Sequence, residues 1–311
     1  SNSVRSILLD DEGQLWMGIS TYGFGVEDRR TGKFTHHGQM PDFSSYRGIS
    51  TVMSIMQSPS TGHIWIGVYN GGAYEIDKSA PVGKRVKAHN SSNAPWMCNS
   101  CIYYICEDSK QNLWFATKSG ISMRAADGTS VRFDSLKVGD VAVRDMVVMQ
   151  LVEGRDGEMW LASNTHGVIR IQGSGNSLSG YTFSGYSVSN GKLNSDYANC
   201  IYRDIEGRIW VGTGGSGLSL YDAVEDVFLP VHKLWNLPGD AVTNIQSDKK
   251  GNLWLGTNAG LLRLTVPRDL QNVTYRLYTT SDGLQDNIFN RGASFVASDG
   301  EMFFGGHRGY N

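Results

Sequence analysis

The chain has 311 residues, 28 basic and 30 acidic, for a formal net charge of −2. That balance excludes the basic face of a nucleic-acid binder and an electrostatic membrane anchor. No uninterrupted apolar run approaches the ~18–20 residues of a membrane-spanning helix. The length exceeds the usual single domain, leaving two domains or one large repetitive domain. No charged-then-apolar leader opens the chain, Ser1-Asn2 looks like the scar of a removed tag, and the sequence reads as an excised segment of something longer. With 38 glycines and 8 tryptophans, the composition points to many short strands joined by tight turns.

Self-similarity organises those strands. The neighbourhood of Trp16 recurs at Trp65, Trp114, Trp160, Trp210 and Trp254, and a seventh copy carries Phe303, at intervals of 49, 49, 46, 50, 44 and 49 residues. Three residues before the anchor stands a glycine (Gly13, Gly62, Gly157, Gly207, Gly251, Gly300), except for Gln111 in the third copy. Two residues after it the side chain is always small: Gly18, Gly67, Ala116, Ala162, Gly212, Gly256, Gly305. Six residues before it an Asp appears in four copies, as Asp10, Asp108, Asp204 and Asp248, while the fourth copy has Gly154 there. The third and fourth copies are therefore expected to be the least regular.

In chain order, each copy opens with an apolar, β-prone run: Val4–Leu9, then 101–106, 146–152 and 242–245 among the clearest. Asp-x-x-Gly follows as a turn, because Asp bonds nearby amides and Gly takes positive φ cheaply. The anchor Trp sits in a second strand, as in 15–19 or Leu253–Thr257, and the small residue beside it leaves room for a neighbouring sheet. Another glycine marks a turn into a third strand, as in 217–221 or 261–264. A weaker fourth follows at Lys33–His36, 227–230 or Thr274–Tyr278. Four antiparallel strands per fifty residues make a propeller blade, so the chain is expected to be an all-β, seven-bladed β-propeller occupying 1–311 as one domain. The sequence ends just after Gly309, before a third and fourth strand of the last blade, which is expected to be incomplete. The anchor tryptophans belong to the core, since repeats reuse core positions.

The pattern Asp-x-x-Gly-x-Leu-Trp-x-Gly-Thr-x-x-Gly-Leu resembles the two-component regulator propeller repeat. Residues 248–261 (DKKGNLWLGTNAGL) and 204–217 (DIEGRIWVGTGGSG) carry it best, and 282–290 with 304–311 resemble a closing blade. The resemblance implies the periplasmic sensor region of a hybrid two-component histidine kinase receptor of an inner membrane in a Gram-negative bacterium. Its partners would be an oligosaccharide or other small ligand, a neighbouring propeller or small β-domain of the receptor, and a second copy in a homodimer, with no nucleic acid.

Two sets of loops share one face of such a propeller: the connectors between blades and the turns between second and third strands. Loops on a rigid scaffold carry binding function. Two tryptophans lie off the repeat register, Trp96 in 89–100 and Trp235 in 232–240. Each either caps a loop or offers a flat platform for a sugar ring. The turns add Tyr22, Tyr69, Asn70, Lys118, Asn164, His166, Asn258 and His307. The connectors add Tyr46, Arg47, Arg144, Asp196, Asp286, Asn287 and Arg291, whose arginines suit a carboxylate.

No catalytic residue is expected. Gly-x-Ser-x-Gly is absent, and 212–217 (GTGGSG) resembles a phosphate loop but lacks the following helix and Lys. The Asp-x-x-Gly-x-x-Trp turn loosely resembles the Asp box of sialidases, itself a structural turn. The seven histidines show no metal spacing, and His36-His37 are expected on one strand with opposite orientations. Of Cys98, Cys101, Cys106 and Cys200, the first two have C-x-x-C spacing without a second pair, so neither metal nor cofactor is expected, and a disulfide stays open in an oxidising compartment. A protein-docking propeller, and a propeller-type polysaccharide lyase or hydrolase, remain as alternatives.

Overall fold

Asp10 shows why each repeat folds as it does. Its Oδ1 accepts the backbone amides of Glu12 (3.0 Å) and Gln14 (2.8 Å), closing the turn, while Oδ2 accepts Trp16 Nε1 at 2.8 Å. One carboxylate therefore shapes a hairpin and satisfies the indole buried beneath it. Asp108, Asp204 and Asp248 do the same for Trp114, Trp210 and Trp254. The computed structural model describes residues 3–46, 48–175 and 177–311, so Ser1, Asn2, Arg47 and Asn176 lie outside the described residues.

The hairpins build a seven-bladed, all-β propeller. Blade 1 comprises Val4–Leu9, Gln14–Ile19, Gly23–Asp28 and Lys33–His36, in that spatial order. The first strands of blades 2 to 7 are Val52–Gln57, Ile102–Glu107, Val148–Glu153, Ala198–Arg203, Val242–Ser247 and Phe289–Val296. Six blades have four strands and the seventh has three, and a separate two-stranded ribbon, Lys137–Val138 with Val141–Ala142, lies between blades 3 and 4 in the chain. The third strand of blade 7 was not expected: Gly309 and Tyr310 pair back onto Gly306 and Gly305.

The apolar core is divided among seams between blades. Each anchor faces the next blade: Trp16 packs with Val52 and Ile55 of blade 2, Trp65 with Ile102 and Ile105 of blade 3, and Phe303 with Val4 and Ile7 of blade 1. Trp254 departs from the rest in being only partly buried. It packs against Phe289 and Phe304 of blade 7, with Tyr278 (5.5 Å) and Arg263 (5.9 Å) beside it.

The small residue after each anchor sets the spacing of these seams. A Cβ on Gly212 would stand 2.6 Å from Cys200 Sγ and from Val242 Cγ1, and one on Gly305 would stand 2.9 Å from Val4 Cγ1. Side chains clamp the same line: Asn199 Nδ2 donates to Val242 O (3.0 Å), Asn244 Nδ2 to Asn290 O (2.8 Å), and Asn290 Nδ2 to Val4 O (2.7 Å). The last of these closes blade 7 onto blade 1, with Arg29–Glu301 (2.6 Å) at the rim.

The two copies expected to be irregular form complete four-stranded sheets. In blade 4, Glu158 takes the missing Asp's place. Its Oε1 accepts Trp160 Nε1 at 2.8 Å and its Oε2 accepts Asp156 N at 3.0 Å. Gly154 makes room, since a Cβ there would lie 1.9 Å from Glu158 Oε1. In blade 3, Gln111 adopts the left-handed conformation itself, at φ 65°.

Two predictions follow from these exceptions. Gln111→Gly should raise stability by about 1 kcal/mol, because a side chain in the left-handed region carries roughly that penalty; a urea midpoint measures it. Glu158→Ala should cost about 1–3 kcal/mol by leaving the Trp160 N–H buried and unpaired. Adding Gly154→Asp should recover part of that loss in a double-mutant cycle.

Candidate functional site

A recurring defect in the ladders marks the candidate site. In blade 1, Val4 faces Ile19 and Ser6 faces Gly18, which leaves Arg5 as an unpaired bulge residue. The same shift falls at Met53, Tyr103, Met149, Asn199 and Thr243 in blades 2 to 6. In blade 7 it widens, with register resuming only between Phe289 and Ser294. Bulges re-aim side chains, and these sit at the start of each inner strand. Because strand direction alternates, that end of the channel also carries the second-to-third-strand turns and the blade connectors.

Arg291 occupies the widest bulge. It therefore lies inside the first strand of blade 7, not in a connector as its sequence context suggested. Its guanidinium carbon stands 5.6 Å from the Tyr197 ring centre of blade 5's connector, and its charge reaches Tyr103 of blade 3 and Cys200 of blade 5. Arg5 occupies the bulge of the adjacent blade, its neighbour Val4 bonded through its carbonyl to Asn290 Nδ2 at 2.7 Å; burial, then the charge of Arg291, lowers the Arg5 pKa. Arg5 Nε and Arg291 Nη1 are both buried without a hydrogen-bond partner. Tyr103 and Tyr69 complete one wall, their ring centres 6.2 Å apart. Burial raises the Tyr103 hydroxyl pKa, and it pushes the Cys200 thiol up to about 12. Below this ring runs a cavity of about 310 Å³ of mixed lining, with Ser6, Ser54, Gln57, Gln246 and Ser294 among apolar residues such as Ile7, Leu8, Ile55, Met56, Ile105, Phe295 and Val296.

Of the expected site residues, the structure brings Arg291 and Tyr69 to this mouth, where Arg5, Tyr103 and Tyr197 had gone unremarked. Asn70, His166 and His307 stand in turns of the same face; Asn70 has φ 58°, His166 Nδ1 meets Thr165 Oγ1 at 2.8 Å, and His307 is exposed. Arg144 is exposed in a short connector helix, and Arg47 lies outside the described residues. Trp96 and Trp235 pack into seams: Trp96 is 4.9 Å from Phe115, and Trp235 is 6.0 Å from Trp210. The Tyr22 ring lies tilted against His36, centres 4.3 Å apart. The strand ends at His36, and the rings of His36 and His37 approach to 4.1 Å, so the expectation of opposite orientations fails where the backbone turns into a 3-10 helix. Cys98, Cys101, Cys106 and Cys200 are free thiols.

A second charged cluster lies in blade 2. Glu75 meets His63 Nδ1 (3.0 Å) and His89 Nε2 (3.1 Å), with Arg124 Nη1 at 3.9 Å. Burial works to raise its pKa, but the hydrogen bonds from His89 and His63 prevail and hold it at about 2. That direction suits a structural anion and disfavours a general acid at neutral pH.

Comparison with known proteins bears on the repeat and the fold. Residues 97–119, 192–215 and 236–259 match the two component regulator propeller family, so the chain carries repeats of that family. No curated protein matches it. Among solved structures it is similar to the extracellular domain of the hybrid two component system BT3049 of B. thetaiotaomicron (17% identity, TM-score 0.54, 100% of this chain and 56% of that one). It is also similar to the extracellular domain of the one component system BT4673 from the same organism (15%, 0.61, 99% and 52%). The chain thus spans about half the length of these two proteins. Virginiamycin B lyase of Staphylococcus aureus shares the fold over 99% of this chain and 93% of its own (14%, 0.68). Among the described residues no helix is long and apolar enough to cross a membrane.

The Glu75 cluster generates a pH prediction. Its folded pKa lies below the ordinary 4.5, so its contribution is present above that value and is lost as pH falls toward 2. The melting-temperature gap between wild type and Glu75→Gln should be widest above pH 5 and narrow steadily below 4.5.

Proposed function

We propose that residues 1–311, carrying two component regulator propeller repeats, form one propeller domain that senses an oligosaccharide for a two-component receptor and binds it without turnover. The domain stands in the periplasm as part of an inner-membrane receptor. There it contacts the receptor's other extracytoplasmic parts and a second copy of itself. The observation that carries this reading is the match of three segments, in blades 3, 5 and 6, to that repeat family. The ring of bulge residues supports it by supplying what a binding face needs, aromatic rings and unpaired donors above a channel of mixed lining.

Thermal denaturation against neutral, sulfated and uronic oligosaccharides tests the reading. A compound at a hundred times its dissociation constant, bound only by the folded state, stabilises by ~2.7 kcal/mol, a visible shift in melting temperature. The expected result is a shift with one class and recovery of that sugar uncut. Recovery of a cleaved product would favour a lyase or hydrolase, a use this fold also admits. A flat panel would favour a docking surface.

A further inference from the structure

The pair of arginines at the channel mouth is unusual in its company. Many arginines of the chain meet carboxylates, among them Arg29 with Glu301, Arg132 with Asp134, Arg208 with Asp204 and Arg268 with Glu206. Arg5 and Arg291 instead stand at the bulges of two adjacent blades. No described carboxylate lies within ion-pair distance of either, and each keeps a buried nitrogen without a partner. Two like charges held together in a partly buried channel raise the free energy of the empty protein, and an unmade bond to a buried donor adds to it. An anion arriving between them relieves both costs at once. The two residues belong to different ends of the chain but to adjacent blades, and the Asn290–Val4 clamp fixes their backbones relative to each other.

We propose that Arg5 and Arg291 form the anion-recognition point of this propeller, and that the ligand is a sugar bearing a carboxylate or sulfate. The proposal rests on the sensing function above and names its ligand class. A guanidinium offers two parallel N–H bonds to either oxyanion. Tyr197, beneath the Arg291 guanidinium, offers a ring face to the sugar attached to that anion, and the Tyr69–Tyr103 pair offers a second aromatic surface. The exposed sides of Tyr69 and Tyr197, at 40% and 41%, are the accessible aromatic surface of the mouth. The cavity beneath, lined in part by Ser6, Ser54, Gln246 and Ser294, offers hydroxyl and amide partners for further hydroxyls.

Calorimetric titration tests this with four probes: digalacturonate, N-acetylglucosamine 6-sulfate, neutral galactobiose and inorganic sulfate. The proteins are wild type, Arg5→Gln and Arg291→Gln. The expected result is binding of digalacturonate or the sulfated sugar in preference to galactobiose. Affinity should weaken as salt is raised and fall roughly tenfold or more in each variant, the loss of a charge-assisted bond. Without ligand, both variants should melt higher than wild type, because each removes one of two repelling charges; a residue serving only the fold would lower it. Binding of galactobiose undiminished in both variants would overturn the anion site and leave the sensing function standing. Binding of inorganic sulfate lost in both variants, with no sugar bound, would support the anion site and defeat sugar sensing. Lower melting in both variants with unchanged affinity for every probe would overturn the proposal outright.

Discussion

Everything in this molecule depends on how closely one blade can lie on the next. The inner strands converge on a channel, and at that radius a methyl group decides whether two sheets fit. Gly212 and Gly305 stand where any side chain would strike the first strand of the following blade. The alanines of blades 3 and 4, both fully buried, mark the upper size limit in their seams. Close approach brings Asn199, Asn244 and Asn290 within reach of the neighbouring backbone, so contact by van der Waals packing becomes contact by hydrogen bond. Blade 7 meets blade 1 by the same means, through the Asn290–Val4 bond.

The wider part of each seam is filled by a large ring, and a buried indole N–H must be satisfied. The Asp of the turn does this while it shapes the turn, which ties hairpin geometry to core packing through one carboxylate. Blade 4 shows that the physical requirement, not the residue, is what recurs. Glu158 reaches the Trp160 N–H from four positions further along the chain, and the position vacated by Asp has become glycine to let it pass.

A strand that must both pair within its blade and bend toward a channel has one residue too many for its partner in blades 1 to 6, and more in blade 7, and the excess falls at the same place. Along most of the ring the bulge carries residues that need no counter-charge, such as Met53, Met149 and Thr243. Where the chain's two ends meet it carries arginine on both sides, unpaired. Among the described arginines with a buried, unpartnered nitrogen, Arg170 and Arg263 also have a carboxylate within 4 Å, while Arg5 and Arg291 do not. Virginiamycin B lyase, alike in fold, is a reminder that side chains at such a mouth, not blades, decide what a propeller does.

The repeat, its seven copies and the strand order within a blade were legible in the sequence. They rest on local rules: turn chemistry at Asp-x-x-Gly, alternation in short strands, and a small residue at a fixed offset from Trp. The face that carries the loops followed from strand order alone, which singled out the turn residue Tyr69, whereas Arg291 was read as a connector residue and lies in a strand. What needed the tertiary structure were consequences of ring geometry. Arg5 sits inside a run that reads as an ordinary apolar strand, and only the paired register shows it to be a bulge. Its nearness to Arg291, 286 positions away by numbering, exists because blade 7 closes onto blade 1. Trp96 and Trp235, conspicuous in sequence for falling outside the repeat, pack into seams because a connector crossing between blades meets an apolar groove there. Local sequence determines the blade; the position of a charge relative to another blade is decided only when the circle is complete.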